Sequence, residues 1–128
     1  MNKIRRIVRV EEVPSQGNAE TTGNPEDQGR WKSLIGKESG SKDLALGIGW
    51  LKPGEVHLLH HHEKTSEFYY VLEGSGRVTV AGEEVEVGPR TVIYIPAGDK
   101  HRIMNNGDKE LVVLFGYNHT DWGNIWDE

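Results

Sequence analysis

Between Leu44 and Tyr117 the chain is interrupted every few residues by turn chemistry, which leaves room for short strands and for no sustained helical period. In Leu44-Ala45-Leu46-Gly47-Ile48-Gly49-Trp50-Leu51 large residues alternate with small ones, as in a strand packed on one face and closely approached on the other. Lys52-Pro53-Gly54-Glu55 ends that run with a turn. Glu67 to Leu72 is aromatic and β-branched, Gly74-Ser75-Gly76 punctuates it, and Arg77-Val78-Thr79-Val80 turns through Ala81-Gly82 into Glu83 to Val87, a predicted hairpin. A second hairpin is expected from Thr91 to Ile95, the break at Pro96-Ala97-Gly98, the turn Asn105-Asn106-Gly107-Asp108 and the run Leu111 to Tyr117. Evenly spaced short strands of this kind predict an all-β sandwich or barrel.

A length of 128 residues suits one domain with a single core. Residues 44–117 are expected to form the barrel core. Residues 1–43 would supply an N-terminal strand or strands and a long polar loop, packed on the barrel or on a partner subunit, and residues 118–128 a tryptophan-containing tail. Within the first of these, Lys3 to Arg9 alternates charges with aliphatics like an exposed edge strand, and Val13 to Arg30 has too few large apolar side chains to be more than a surface loop. In the tail, Trp122 and Trp126 are expected to pack back on the barrel or on a second subunit, or to cover a cavity mouth.

Fifteen basic against twenty acidic residues give a formal net charge of −5, a field that repels phosphate backbones and anionic lipid, so nucleic acid and membrane are not expected partners. The absence of cysteine excludes thiolate ligands and cysteine nucleophiles, leaving nitrogen and oxygen to hold any metal. The basic N-terminus runs into Glu11-Glu12-Val13-Pro14 without an apolar signal region, and the expected location is cytoplasmic.

Four of the six histidines fall in Val56-His57-Leu58-Leu59-His60-His61-His62-Glu63, with Glu67 just downstream. On a strand His60 and His62 share a face, about 7 Å apart, and their imidazoles can converge on one ion. Lys64-Thr65-Ser66 lets the chain return so that Glu67 adds a carboxylate, with Tyr69 on the same face. His101, delivered by the corner Pro96-Ala97-Gly98, is the fourth candidate. Alternation turns His57, His61 and Arg102 away from this point unless a bulge intervenes. Three imidazoles and one carboxylate leave coordination positions open, the arrangement of catalytic rather than closed structural sites.

The stretch Gly54 to Gly74, GEVHLLHHHEKTSEFYYVLEG, resembles the first motif of the cupin family at Gly54, His60, His62, Glu67 and Gly74. Pro96 to Asn105, PAGDKHRIMN, is similar to the second motif through Pro96, Gly98, His101 and Asn105. One departure is visible: Arg90 stands where the family places a glycine, with Gly88 two residues upstream. The resemblance implies a double-stranded β-helix, the jelly-roll barrel, of about six to eight strands, one divalent transition metal (Fe, Mn, Ni, Zn or Co) inside it, and a homodimer with exchanged N-terminal strands.

Tyr69 is a candidate catalytic residue, its hydroxyl donating to a metal-bound oxygen or relaying a proton, with a satisfied core tyrosine as the alternative. Trp50 and Tyr94 are further pocket candidates, and His119, beyond the last strand, is read as a loop histidine. No serine nucleophile motif, phosphate-binding glycine loop or dinucleotide fingerprint is present. The expected function is a metal-dependent enzyme acting on a small oxygen-rich molecule, an Fe(II) dioxygenase (an oxidoreductase) ahead of a Mn, Ni or Zn isomerase, lyase or decarboxylase. The alternative is a non-catalytic module that binds a sugar, a small carboxylate or the metal itself.

Overall fold

The computed structural model describes residues 4–120. The strands are β1 (Gln16–Gly17), β2 (Arg30–Ile35), β3 (Ala45–Leu51), β4 (Val56–His60), β5 (Glu67–Glu73), β6 (Gly76–Val80), β7 (Glu83–Val87), β8 (Val92–Ile95), β9 (His101–Met104) and β10 (Leu111–Tyr117), and one short helix, α1 (Asn18–Thr22), follows β1. They form two antiparallel sheets, ordered β1-β2-β3-β10-β5-β8 and β4-β9-β6-β7. The core lies between the sheets, with Leu51, Tyr69, Val71, Ile95 and Leu111 from the first meeting Val78, Val87 and Ile103 from the second. β3 to β10 make the eight-stranded jelly roll that the sequence predicts, and β1 and β2 extend one sheet edge.

Local chemistry explains the elements that sequence patterning located. The β6–β7 hairpin closes on Ala81 (φ 50°) and Gly82 (φ 85°), the two left-handed residues that a type I′ turn requires. In β5 burial alternates, Glu67, Tyr69 and Val71 inward and Phe68 and Leu72 outward. Gly47 and Gly49 of β3 leave room for the Phe115 ring, which a Cβ on Gly47 would meet at 2.6 Å.

Three expectations are corrected. The second hairpin does not form: β8 pairs with β5, β9 with β4 and β6, and β10 with β3 and β5. Pro96 and Gly98 (φ 91°) carry the chain from one sheet to the other, so strands adjacent in sequence end in opposite layers. Residues 4–9 form no strand; Val8, Val10 and Val13 instead pack on Leu34, Ile48 and Val112, covering the outer face of β2, β3 and β10. The expected loop from Val13 to Arg30 contains β1 and α1, the latter entered with the Gly17 amide donating to Glu20 Oε1 at 3.4 Å and left through Gly23 at φ 77°. The Trp31 indole N–H donates to the Thr21 hydroxyl at 2.7 Å and ties that helix to β2.

Beyond the region covered by the N-terminal segment, Val92 (64% exposed) and Tyr94 (66%) of β8 face outward. Among the described residues no helix is long and apolar enough to cross a membrane. Trp122 and Trp126 lie outside the described residues.

Candidate metal centre

The side chains of His60, His62, Glu67 and His101 each offer a ligand atom, and these four atoms lie within 4.8 Å of one another. Three segments deliver them. His60 ends β4 directly opposite His101 at the start of β9, with ring centroids 4.1 Å apart. His62 stands two residues beyond the end of β4, where its carbonyl accepts the Gly98 amide at 2.7 Å, so the Pro96-Ala97-Gly98 corner holds the histidine loop as well as His101. Glu67 opens β5 in the opposite sheet and reaches across the core.

The ring orientations are preset. Nδ1 of His60 donates to the Leu58 carbonyl at 2.6 Å and Nδ1 of His101 to the Asp99 carbonyl at 3.0 Å. A carbonyl only accepts, so both rings carry their proton on Nδ1 and present the Nε2 lone pair inward, the tautomer a metal ligand needs. Nε2 of His101 lies 2.8 Å from Oε1 of Glu67 without the alignment of a hydrogen bond; the two atoms aim at a shared point. His62, Glu67 and His101 are all buried, at 1%, 3% and 0% exposure.

Such a cluster is costly without a cation. Burial first, then the electrostatic influence of the neighbouring His57 and His101 rings, pushes His60 well below its ordinary range. Burial alone would lower His101 too, but the neighbouring Glu67 carboxylate outweighs it and raises the group. Burial and then the Glu67 charge push the Tyr69 and Tyr117 hydroxyls well above the usual phenol range. A divalent ion at the shared point would relieve these strains together, which is why this donor set suits one.

Tyr69, whose ring lies 6.0 Å from that of His101, is 3% exposed, and its buried hydroxyl has no hydrogen-bond partner among the described residues. Beside the cluster is a cavity of about 50 Å³, bounded by Trp31, His57, Glu67, Tyr69, Phe115 and Tyr117. Space of that size admits a few water-sized groups.

Other residues singled out from the sequence lie elsewhere. Tyr94 is exposed, and the Trp50 ring packs in the outer cluster with Leu34 and Ile48, the Lys32 ammonium 5.7 Å above it, although Trp50 also borders the cavity. His61 turns to Glu63 at 2.8 Å and Arg102 to Glu84 at 3.4 Å, both away from the cluster, and His119 is not part of it. His57 is the correction: the β4–β9 register shifts between His57 and His60, and this bulge brings the His57 ring to 4.6 Å from that of His60 and onto the cavity wall. Its partner Asp27, 2.9 Å away, escaped sequence reasoning, because nothing local links a loop aspartate to a histidine thirty residues on.

A jelly-roll barrel with three imidazoles and a carboxylate gathered between its sheets is the architecture of a metal-binding cupin. The chain belongs to the cupin family: residues 49–117 match the Cupin_2 cupin domain. It is 38% identical over 112 residues to dimethylsulfoniopropionate lyase DddW of Ruegeria pomeroyi, a match covering 86% of this chain and 70% of that protein. It is 32% identical over 120 residues to polyketide synthase CurC of Streptomyces cyaneus, covering 90% of this chain and 71% of the relative. Among solved structures it is similar to a predicted oxalate decarboxylase from Thermotoga maritima, with a TM-score of 0.77 and 27% identity over 88% of this chain and 98% of the other.

Proposed function

We propose that this cupin is a metal-dependent lyase that removes a proton from the carbon beside the carboxylate of a small acid and expels a group from the next carbon. The carrying observation is the Tyr69 hydroxyl, buried beside Glu67 at the cavity and without a hydrogen-bond partner among the described residues. Of the chemistries weighed from the sequence, proton transfer uses such a phenol directly, whereas reaction with O2 gives it no task. That preference is supported by likeness to a lyase and to a predicted decarboxylase, both named for small carboxylates.

Held by His60, His62, Glu67 and His101, a divalent cation would supply Lewis-acid stabilisation of the negative charge that develops on the carboxylate oxygens, and would offset the Glu67 charge that raises the phenol. Tyr69 would first give its own proton to bulk water, a loss that the bound cation would favour; the phenolate then takes the substrate proton, the C–H electron pair becomes the new C=C bond and the leaving group departs with its own bonding pair. Trp31, Phe115 and Tyr117 wall the cavity with aromatic surface and limit the water that could compete for the proton. The small-molecule substrate, homodimer and cytoplasmic location implied earlier accompany this reading.

Protein loaded in turn with Fe(II), Mn, Ni, Zn or Co and given dimethylsulfoniopropionate and other 3-substituted propionates should release the leaving group together with acrylate. Tyr69→Phe should keep metal and fold yet lose roughly a hundredfold or more in rate. Elimination that survives Tyr69→Phe unchanged would remove the tyrosine from the chemistry, and O2 uptake without elimination would restore the oxygenase.

A further inference from the structure

Two buried tyrosines flank Glu67 in the cavity, Tyr69 two residues along β5 and Tyr117 at the end of β10. The β10–β5 register sets Tyr117 directly opposite Glu67 and Phe115 opposite Tyr69, so the four side chains share the inner face. Directly opposed residues of an antiparallel pair hold their Cβ atoms about 4.5–5.5 Å apart, well within reach of an aromatic side chain. On its other side β10 pairs Tyr117 with Ala45, whose small side chain packs with the ring and leaves it room.

The two hydroxyls differ. That of Tyr69 has no hydrogen-bond partner among the described residues, whereas that of Tyr117 is hydrogen-bonded to the Glu67 side chain. A carboxylate that ligates a metal is deprotonated and only accepts, so Tyr117 donates. The oxygen it reaches follows by elimination. Oε1 of Glu67 lies 2.8 Å from Nε2 of His101 and 3.8 Å from Nε2 of His62, and it has no hydrogen-bond partner among the described residues. The bond from Tyr117 therefore falls on Oε2 and leaves Oε1 to a cation. The Tyr117 ring also stands edge-on against His62, with centroids 5.3 Å apart and planes at 89°. One residue thus touches two of the four candidate ligands, which come from different segments of the chain.

Resting on the metal centre of the proposed function and not on its elimination chemistry, we propose that Tyr117 is a positioning residue that holds Glu67 with a single oxygen toward the metal. This raises metal affinity and keeps a coordination position open for the substrate. A carboxylate free to turn can offer one oxygen or both to a cation, and the second would fill the position that a substrate needs. The hydrogen bond removes that freedom and orders a rotamer-rich side chain before the metal arrives.

The test measures Zn(II) affinity by competition with a chromophoric chelator in the native protein, Tyr117→Phe and Tyr69→Phe, together with the visible spectrum of each loaded with Co(II). Neither readout depends on turnover. Tyr117→Phe keeps the ring against His62 and removes only the donor. It should weaken Zn(II) binding about 10–100-fold, the usual loss when an outer partner of a ligand is removed. Its Co(II) bands should lose intensity as Oε2 of Glu67 joins the metal and the coordination number rises. Tyr69→Phe, which deletes a similarly buried hydroxyl from the same cavity, should leave both readouts unchanged. A tyrosine that only packs would alter the thermal midpoint of the metal-free protein and neither metal readout. Unchanged Zn(II) affinity or an unchanged Co(II) spectrum in Tyr117→Phe, or equal losses in the two variants, overturns the proposal. If Tyr117→Phe does not fold, the native protein decides: the proton NMR spectrum of its Zn(II) form should show the Tyr117 hydroxyl as a slowly exchanging downfield resonance, and its absence overturns the assignment. Failure of the native protein to bind either metal would instead remove the metal centre itself, and the role of Tyr117 with it.

Discussion

Arg90 has φ 64°, a left-handed conformation that costs a residue with a Cβ roughly 1–2 kcal/mol. It is the position where the family resemblance expects glycine, and the turn is kept by the arginine itself adopting the glycine-like backbone, with its amide donating to the Val71 carbonyl at 2.8 Å. Arg90→Gly should therefore raise stability by up to about 1 kcal/mol after the entropy cost of glycine in the unfolded chain, read from urea denaturation. A decrease would mean that the arginine side chain contributes more than its backbone costs. At the candidate metal site, protein purified without an affinity tag should carry close to one equivalent of transition metal per chain. His60→Ala or His101→Ala should weaken that binding by at least about a hundredfold, since even removing an outer partner of a ligand costs 10–100-fold. Elemental analysis of dialysed protein checks this, and metal retained by both variants would refute the four-residue centre.

Among the secondary-structure elements, the β5–β6 connection turns on Gly74, which has φ 79° and would bring a Cβ to 2.4 Å from the Glu110 carbonyl oxygen. Neither the backbone angle nor the rigid neighbour can yield cheaply, so Gly74→Ala should cost roughly 2–4 kcal/mol, visible as a lowered thermal midpoint. A variant with unaltered stability would show that Glu110 moves freely. The β6–β7 hairpin and the alternation of β5 were legible because each depends on neighbours two to four residues away. Parity also placed Tyr69 on the face of Glu67, and both are buried at 3%. Parity failed for His57, because the bulge in β4 changes which face a residue occupies without leaving a mark in local composition.

Across the whole molecule, Asp27 joins the N-terminal region to β4 through His57 and the Leu58 amide and is a tertiary anchor. Its carboxyl is held below the ordinary 3.8 in the folded state, so below that value the unfolded chain takes up protons more readily than the folded one. The stabilisation is therefore complete above about pH 4 and is lost as pH falls through the depressed folded-state value. Asp27→Asn should cost on the order of 1–3 kcal/mol at pH 7, with the gap to the native protein narrowing below pH 4 in acid denaturation followed by circular dichroism. A gap that is constant with pH would show that the carboxylate charge contributes nothing.

The amino-acid sequence by itself determined the strand periods, the turn positions and the spacing of the four candidate ligands, because alternation, left-handed turns and short-range spacing are properties of neighbouring residues. Tertiary structure alone decided that β8, β9 and β10 divide between two sheets, that Val8, Val10 and Val13 cover the outer face, and that a bulge aims His57 at the cavity with Asp27 behind it. Those outcomes depend on which distant surfaces can be buried against one another, and a one-residue change of register reverses every side chain's face while leaving the local pattern intact.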